Sequence, residues 1–344
     1  MAAPGWQMLM IMASALAGVA QDRLCDRGAS ELAESQAIGA MRVRDYALAE
    51  RRFREAIDSC PEKPSILLQL AQAQVSARNF DAAIRTAKQY LASDPASTAG
   101  RVVLANAFFM GLRLKEAMAE ADSILRDRPQ ELAALKIKAN AAYLLGDVET
   151  AKGTFIRLLD RYPGDEDGAY MLGRIYYQDG SIDLAMGQFE RVLKANPSSY
   201  KAFDNLGLCY QAIGDYERAT RYFLTAIKLV EKDHPEYEWP YTNLADMLVK
   251  TGDPQRAFDA ASKAVNRNPN SAHGFYVGAK ALNQLGKPEL AVNWLERSVA
   301  LNPASTESWY LLGLVYRKLD QNDKAEEATR KFRELKAKES VRRR

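Results

Sequence analysis

Few residues of this sequence have the types and spacing that enzymatic chemistry needs. The chain holds two histidines, His234 and His273, and neither belongs to a carboxylate–histidine–serine arrangement or to a Cys/His cluster spaced for a metal ion. Glycines such as Gly146 and Gly214 lie at turns between helices and not in a phosphate-binding loop after a strand. The carboxylates follow helical spacing on exposed faces, where they are usually solvated. The sequence therefore predicts a protein that is not an enzyme and has no metal site or cofactor.

The elements that carry these side chains follow one period. Alanine recurs 34 residues apart, except for one step of 38, and a second small residue precedes each of these alanines by twelve residues. The recurring alanines are Ala49, Ala83, Ala117, Ala151, Ala185, Ala219, Ala257, Ala291 and Ala325, and the earlier small residues are Ala37, Ala71, Ala105, Ala139, Gly173, Gly207, Ala245, Ala279 and Gly313. A repeat of this length cannot bury its own apolar face, so the sequence predicts nine units stacked into an elongated array.

Proline and glycine mark the helix ends within each unit. Glycine turns such as residues 145–147 and 213–215 lie between the two small positions, and a proline follows the recurring alanine by twelve residues, with one displacement. Since proline lacks an N–H and restricts the residue before it, it ends one helix and opens the next unit. Each unit is therefore predicted to be helix, turn, helix.

This pattern resembles the tetratricopeptide repeat family. The sixth unit carries Phe203, Leu206, Gly207, Tyr210, GDYERA at 214–219, Phe223 and Ala226, and the ninth reads WYLLGLVY at 309–316. The predicted unit starts are Ser30, Pro64, Thr98, Leu132, Glu166, Tyr200, Glu238, Ala272 and Thr306. The resemblance implies an all-α, right-handed superhelical solenoid of antiparallel helix pairs over residues 30–339, after a lead-in at 21–29 and before a basic tail at 340–344. No linker interrupts the register, so we expect one continuous array.

Some positions depart from the repeat pattern. Residues other than glycine, namely Arg44, Arg78, Leu112 and Asp320, take the turn position, and we expect those turns to close differently. Alanine takes the aromatic position at Ala87, Ala121 and Ala261, where we expect thinner packing. Four extra residues lie within 229–243. We expect them to lengthen the second helix of unit six before Pro235 and to bring His234 and Trp239 to the groove edge, and a tolerated loop insertion is the alternative.

In the tetratricopeptide repeat family the first helices line a concave groove, into which positions 2, 5, 6, 9, 12 and 13 of each unit point. In units four to eight these positions are aromatic or hydrogen-bonding, which suits a peptide ligand. The resemblance implies a peptide-binding groove formed by Lys136, Asn140, Tyr143, Tyr170, Arg174, Tyr177, Lys201, Asp204, Asn205, Trp239, Asn243, Asp246, His273, Tyr276 and Lys280. For any single residue, packing against the next unit is the alternative. Trp309 and Tyr241 fall on the consensus core position and are excluded from the site.

The cysteines suggest an oxidising compartment. Cys25 precedes the first unit and Cys60 ends its second helix. Because the two helices of a unit run antiparallel, both cysteines should lie at the same end, where a disulfide would stabilise the fold by about 3–4 kcal/mol. Two unrelated thiols are the alternative, and Cys209 is interpreted as a small packing residue.

The N-terminus predicts export. Residues 9–19 form a short apolar run, and GVAQ at 18–21 places small residues where a signal peptidase cleaves. We therefore expect a signal peptide at 1–20, cleavage after Ala20 and a periplasmic or extracellular protein. The first residues carry no lysine or arginine, so a misassigned start or a short membrane anchor is the alternative. No later apolar run reaches the roughly 20 residues of a transmembrane span.

The charge balance argues against a nucleic-acid partner. Residues 330–344 contain eight basic and two acidic residues, which leaves 39 basic and 42 acidic residues in the rest of the chain. The basic pI therefore comes from the tail, which we interpret as part of a solvated capping helix, with contact to an acidic surface as the alternative.

Together these features predict a noncatalytic scaffold or adaptor of the bacterial cell envelope that binds a peptide or helix of another protein in its groove. A receptor for an envelope glycan component is the alternative, because tyrosine and tryptophan faces also suit sugars. A cytoplasmic assembly or chaperone adaptor becomes preferable if the leader is not cleaved. Binding of a second copy of the chain along the groove edges, which would form a homo-oligomer, is a further alternative.

Overall fold

A computed structural model describes the backbone of residues 25–342 and the side chains of residues 25–338. This part of the chain forms eighteen α-helices and no strand. The helices are α1 (Arg27–Arg42), α2 (Tyr46–Ser59), α3 (Pro64–Ser76), α4 (Phe80–Ser93), α5 (Thr98–Met110), α6 (Leu114–Asp127), α7 (Leu132–Leu145), α8 (Val148–Arg161), α9 (Glu166–Gln178), α10 (Ile182–Ala195), α11 (Tyr200–Ala212), α12 (Tyr216–Asp233), α13 (Trp239–Thr251), α14 (Pro254–Arg267), α15 (Ala272–Gln284), α16 (Pro288–Leu301), α17 (Thr306–Lys318) and α18 (Asn322–Arg342). The predicted all-α fold of consecutive helix pairs is confirmed.

The helices group into two compact units, of which the first ends at Arg161 and the second begins at Tyr162. The first contains α1–α8 and the second contains α9–α18. Within each unit an odd-numbered helix packs against the even-numbered helix that follows it, and each pair packs against the next pair. The single continuous solenoid over residues 30–339 stays a prediction.

The predicted starts of the repeats agree closely with the helices. Seven of the nine coincide with the first residue of an odd-numbered helix. The first helix begins at Arg27 instead of Ser30, because Asp26 caps it by accepting a hydrogen bond from the backbone N–H of Ala29. Glu238 precedes α13 as its N-cap residue, and its buried side chain accepts a hydrogen bond from the side-chain amide of Asn268.

The turns within the repeats all close in the same way, which corrects the expectation for the four that lack glycine. The first or second residue after each odd-numbered helix adopts the left-handed conformation, at Gly146, Gly180, Gly214, Gly252 and Gly286 and equally at Arg44, Arg78, Leu112 and Asp320. The φ angles are 70° to 83° at the glycines and 57° to 62° at the other four residues. The hydrogen bonds explain the agreement, because the residue after the turn donates to a carbonyl five residues back in both groups, as Arg113 does to Phe108 (2.8 Å) and Asp215 to Tyr210 (2.9 Å). The packing of the repeat therefore overrides the side-chain preference at these four positions.

The small residues of the repeat make room for its aromatic ring. A Cβ atom added to Gly207 would lie 2.5 Å from the ring of Phe223, so the ring occupies the space that a side chain would need. Where the aromatic position holds Ala87, Ala121 or Ala261, the facing first-helix position holds alanine as well. All six of these alanines are completely buried, so the expected thinning of the packing opens none of these sites to solvent: Ala71, Ala87, Ala105, Ala121, Ala245 and Ala261.

The four extra residues lengthen a helix, as predicted. Helix α12 has 18 residues, whereas the other even-numbered helices from α2 to α16 have 14. The extension ends at His234, whose ring lies 4.6 Å from the ring of Tyr200 at the start of α11. In the neighbouring repeats a hydrogen bond joins the same two positions, from Asn196 to Glu166 (3.1 Å) and from Asn268 to Glu238 (3.0 Å). At this junction, a contact between two rings therefore replaces the amide–carboxylate bond.

The first repeat is closed by a disulfide between Cys25 and Cys60, whose Cα atoms lie 4.2 Å apart. Beside it the backbone N–H of Asp26 donates to the carbonyl of Ser59 (2.9 Å), and the buried hydroxyl of Ser30 donates to the carbonyl of Ala56 (2.9 Å). These contacts tie the start of α1 to the end of α2. The predicted signal peptide, residues 1–20, and its cleavage site lie outside the described residues.

The last helix runs further than a repeat requires. Helix α18 has 21 residues and buries Ala325 and Ala328, with α17 packed against it. Because α18 continues to Arg342, the tail predicted at 340–344 begins within this helix. The basic segment is thus largely an extension of the helix that covers α17.

Candidate recognition surface

The odd-numbered helices of the second unit lie side by side, with α9 packed on α11, α11 on α13 and α13 on α15. We call the surface that their side chains share the first-helix face. Its residues among those predicted from the sequence are Tyr170, Arg174 and Tyr177 on α9, Lys201, Asp204 and Asn205 on α11, Trp239, Asn243 and Asp246 on α13, and His273, Tyr276 and Lys280 on α15. The other three predicted residues, Lys136, Asn140 and Tyr143, lie on α7 of the first unit.

Hydrogen bonds join neighbouring helices of the first-helix face at equivalent positions. The side-chain amide of Asn205 donates to the hydroxyl oxygen of Tyr170 (3.4 Å), and one repeat later the amide of Asn243 donates to both carboxylate oxygens of Asp204 (2.9 and 3.1 Å). In both pairs the fifth residue of one repeat accepts from the sixth residue of the next. Both amides therefore hold adjacent repeats together, a role that the sequence did not indicate.

Asp204 is the most unusual charged group of the face. Its side chain is 3% exposed, and among the described residues its only hydrogen-bond donor is Asn243. Burial raises the pKa of the Asp204 carboxyl to about 7, and the hydrogen bond from Asn243 offsets only part of this effect. The carboxyl is thus poised between its neutral and charged forms near neutral pH.

At Asp246, in contrast to Asp204, nearby positive charges outweigh the effect of burial on the pKa. Burial acts to raise its pKa, but a hydrogen bond from Lys250 and the charge of Lys280 outweigh burial, so the pKa of Asp246 lies below its usual value. The Nζ atoms of Lys250 and Lys280 lie 2.6 Å and 3.1 Å from the carboxylate. Since Lys280 belongs to α15, its ion pair with Asp246 joins α13 to α15. Asp246 and Lys280 therefore already bind each other within the protein.

Six rings lie where α11, α13 and α15 begin, and we call them the aromatic ladder: Tyr200, His234, Tyr237, Trp239, His273 and Tyr276. The ring centroids of Tyr200 and Tyr237 lie 4.8 Å apart. The ring of His273 lies 6.4 Å from that of Trp239 and 5.9 Å from that of Tyr276, with planes inclined by 30° and 28°. Trp239 is 44% exposed, and His273 is exposed as well. The ladder thus consists of two groups of neighbouring rings, one around Tyr200 and one around His273, and the second group has exposed members.

The ladder offers hydrogen-bond donors that the protein does not use. Among the described residues, none accepts a hydrogen bond from the indole N–H of Trp239 or from the hydroxyls of Tyr200, Tyr237 and Tyr276. Burial raises the pKa of all three hydroxyls, so each keeps its proton at neutral pH and can donate. Rings with unused donors combine contact area with directional bonding.

The remaining predicted residues of the face lie beside tyrosine rings or are partly buried. The guanidinium of Arg174 lies 6.0 Å from the ring centroid of Tyr170, and the Nζ atom of Lys201 lies 5.9 Å from that of Tyr200. Tyr177 is partly buried, which raises its pKa. These residues frame the face and belong to its packing.

The three predicted residues on α7 belong to a separate compact unit. The side-chain amide of Asn140 donates to the backbone carbonyl of Lys136 (2.8 Å) within the helix. Met110 on α5 and Leu144 on α7 are exposed apolar side chains of the same unit.

Sequence reasoning missed Tyr200 and Tyr237 as members of the surface. Tyr200 is the first residue of its repeat, and Tyr237 lies in the lengthened connection, so neither occupies a position that the family groove uses. The insertion itself could have indicated these two residues, because it places three rings within six residues, namely His234, Tyr237 and Trp239.

The described residues contain no group of three or more His, Cys, Asp or Glu side chains arranged to hold a metal ion. No helix among them has the length and apolar character needed to cross a membrane.

Comparisons with known proteins agree with this architecture. Family models described as tetratricopeptide repeat match residues 40–106, 138–200, 199–270 and 294–327. A curated relative, the protein CTR9 homolog of Arabidopsis thaliana, is 25% identical over 100 residues, which are 29% of this chain and 9% of that protein. The chain thus corresponds to a small part of that relative.

Solved structures share the fold. A tetratricopeptide repeat protein from Parabacteroides merdae superposes with a TM-score of 0.61 at 20% identity, covering 73% of this chain and 98% of the other. The hetero-tetramer Cut9–Hcn1 of the APC/C superposes with a TM-score of 0.60 at 17% identity, covering 83% of this chain and 55% of the other. At these identities the likeness concerns the arrangement of the helices alone.

Proposed function

We propose that this protein, which belongs to the tetratricopeptide repeat family, is a noncatalytic scaffold that binds an extended segment of another protein on the first-helix face of its second unit. The family and the fold support a role in protein–protein interaction. The location of the binding surface is our inference from the side chains.

The observation that carries this proposal is the contrast between the polar residues of the face and its rings. The polar residues bond to adjacent helices and so fix the register of the helices: Asn205 bonds to Tyr170, Asn243 to Asp204 and Lys280 to Asp246. The aromatic ladder keeps its exposed members and its unused donors. Binding energy at interfaces concentrates in a few aromatic residues held on a rigid support, and this is the arrangement of the ladder.

We also propose that the protein is exported and acts in the cell envelope or outside the cell. The apolar leader of residues 9–19 and the small residues before Gln21 support export. The disulfide between Cys25 and Cys60 fits an oxidising compartment. The intact mass of the protein isolated from its native source tests the location, because loss of residues 1–20 is expected and a full-length species in the cytoplasm would contradict it.

Affinity purification from the native source tests the binding surface. We expect Trp239→Ala combined with His273→Ala to reduce the recovery of co-purifying proteins, because both rings belong to the ladder. Tyr216→Ala is the matched control, since Tyr216 is 44% exposed but lies on α12, an even-numbered helix. Equal recovery with the double variant and the wild type would remove the ladder from the binding surface.

A further inference from the structure

We infer that the basic end of α18 binds the anionic lipid headgroups of a membrane surface and so holds the protein against that surface. The basic end consists of residues 330–342 of the helix, which carry six basic and two acidic side chains. It lies on a different helix from the aromatic ladder, and the choice of a lipid partner rests on the proposed export.

Charge is divided along α18. Residues 322–329 carry three acidic side chains and one basic side chain, whereas the basic end has the opposite excess. The acidic part contains Ala325 and Ala328, the two buried residues among the described side chains of the helix. Helix α18 has 21 residues, against 13 in α17, so its final part has no length of α17 to cover. The packed part of α18 is thus acidic, and the part beyond it is basic.

Ion pairs within the helix do not account for the basic end. Glu334 is the partner of both Arg330 and Lys331, whose nitrogen atoms lie 3.2 Å and 3.9 Å from its carboxylate oxygens. Among the described residues, three exposed cations of the basic end have no carboxylate partner: Arg333, Lys336 and Lys338. The excess of positive charge is therefore not neutralised within the part of the protein that the structure describes.

The helix dipole does not account for the basic end either. Cations stabilise the C-terminal end of a helix, but this effect falls off within the last turn. The basic residues begin at Arg330 and continue to Arg342, the last residue of α18, which is more than three turns of helix. Most of this charge is therefore available to an anionic partner outside the protein.

A membrane surface suits the way in which the charge is presented. Successive side chains of a helix are rotated by about 100°, so the cations of the basic end surround its axis instead of forming one fixed row. A folded acidic partner needs cations in matching positions, whereas an anionic leaflet attracts clusters of about four to eight lysines and arginines without a fixed register. Nucleic acid would attract the same cations, but the proposed export separates the protein from it.

An exposed aromatic ring adjoins the basic end. Tyr310 on α17 is 52% exposed, and its ring centroid lies 5.2 Å from that of Phe332 on α18. Tyrosine is favoured at the headgroup level of a bilayer, where its ring meets apolar chains and its hydroxyl meets water. The neighbourhood of the basic end therefore combines positive charge with a side chain suited to the same interface.

Co-sedimentation with lipid vesicles tests the inference on the protein purified from its native source. We expect binding to phosphatidylcholine vesicles that contain about 30% phosphatidylglycerol and none to vesicles of phosphatidylcholine alone. High salt should weaken the binding, because it screens charges at a surface. Arg333→Gln combined with Lys336→Gln should weaken it at least about tenfold, since each basic residue at an anionic surface strengthens binding about fivefold.

Two further pairs of substitutions serve as controls. Lys228→Gln combined with Lys263→Gln removes the same charge from exposed positions on α12 and α14, and it should change the binding less than about twofold. Arg333→Lys combined with Lys336→Arg keeps the charge and should also preserve binding, because a diffuse surface does not require the planar fork of arginine. Circular dichroism checks that each variant keeps its helix content.

The possible results are distinct. Absence of binding to the anionic vesicles, equal binding to both kinds of vesicle, or an equal loss in the Lys228 and Lys263 control would overturn the inference. Tighter binding to a DNA duplex or to polyglutamate than to the anionic vesicles would overturn it in favour of nucleic acid or an acidic protein. If the vesicles are not bound while the ladder variant still loses its co-purifying proteins, the proposed scaffold function stands and only the membrane contact is wrong.

Discussion

The side-chain amide of Asn243 donates to both carboxylate oxygens of Asp204, and this pair joins α13 to α11 just beyond the four-residue insertion in the repeat. Asp204 lies on the same helix face as the aromatic ladder and is almost completely buried. The protein thus keeps a carboxyl group in a place where its charged form is costly.

We expect Asp204→Asn to stabilise the protein at high pH and to leave its stability nearly unchanged at low pH. The pKa of Asp204 is about 7 in the folded protein, against an ordinary value of 3.8. Between these values the unfolded chain releases a proton that the folded chain retains, so the free energy of unfolding falls as the pH rises from about 4 to 7. The variant escapes this loss and should gain up to about 4 kcal/mol at pH 8.

Thermal unfolding at pH 4 and pH 8 measures the effect of Asp204→Asn. The control is Asp160→Asn, because Asp160 is exposed on α8. A variant that is destabilised at pH 8, or stabilised equally at both pH values, would show that the carboxyl of Asp204 is charged in the fold.

The left-handed turn residues make a second prediction. Leu112 has a φ of 58°, a conformation that costs a residue with a side chain about 1–2 kcal/mol. Leu112→Gly removes this strain at the expense of a more flexible unfolded chain, so we expect a net gain in stability of about 0.5–1 kcal/mol. Denaturant unfolding measures it, with Leu112→Ala as the control that keeps a Cβ atom and should gain less. Equal changes in both variants would attribute the effect to the exposed leucine side chain.

A pair of glycines tests the packing of the repeat. Gly207→Ala places a Cβ atom against the ring of Phe223 and should destabilise the protein by about 1–3 kcal/mol. Gly187→Ala on α10 meets open space and should stabilise by about 0.5–1 kcal/mol, because alanine favours the helix. Thermal unfolding compares the two, and destabilisation of similar size in both variants would contradict the close contact at Gly207.

The disulfide between Cys25 and Cys60 gives a prediction that combines chemistry with stability. Thiol titration of the denatured, exported protein should find one free thiol, that of Cys209, and three after reduction. Replacing Cys25 and Cys60 by serine should lower the free energy of unfolding by about 3 kcal/mol, because the unfolded chain loses its cross-link. Cys209→Ala should leave the count of disulfide-linked cysteines unchanged. Three free thiols before reduction would rule out the cross-link.

The sequence predicts the fold far better than the details of the surface. The period of the repeat and the helix boundaries follow from small residues and prolines, whose effect on the backbone is local. Most predicted repeat starts, such as Pro64 and Thr98, are therefore the first residue of a helix. The prediction that the turns at Arg44 and Leu112 close differently is wrong, because the packing of the whole repeat imposes a conformation that the single residue disfavours.

The surface depends on contacts between repeats, which no local pattern reports. Asn205 and Asn243 have residue types suited to binding a peptide, but their amides are bonded to Tyr170 and Asp204 of the preceding repeat. Tyr200 joins the aromatic ladder because its ring meets His234 and Tyr237. Residue type and position therefore identify the face, and only the contacts distinguish its structural residues from its exposed rings.

Site-specific photo-crosslinking in the native host tests the central claim most directly. A photoreactive phenylalanine analogue replaces Trp239 in one variant and Tyr216 in another, so that two exposed aromatic positions on different helix faces are compared. We predict that the analogue at position 239 joins the protein to a discrete partner polypeptide and that the analogue at position 216 does not. Partner adducts at 216 with none at 239 would contradict the assignment of the first-helix face as the binding surface.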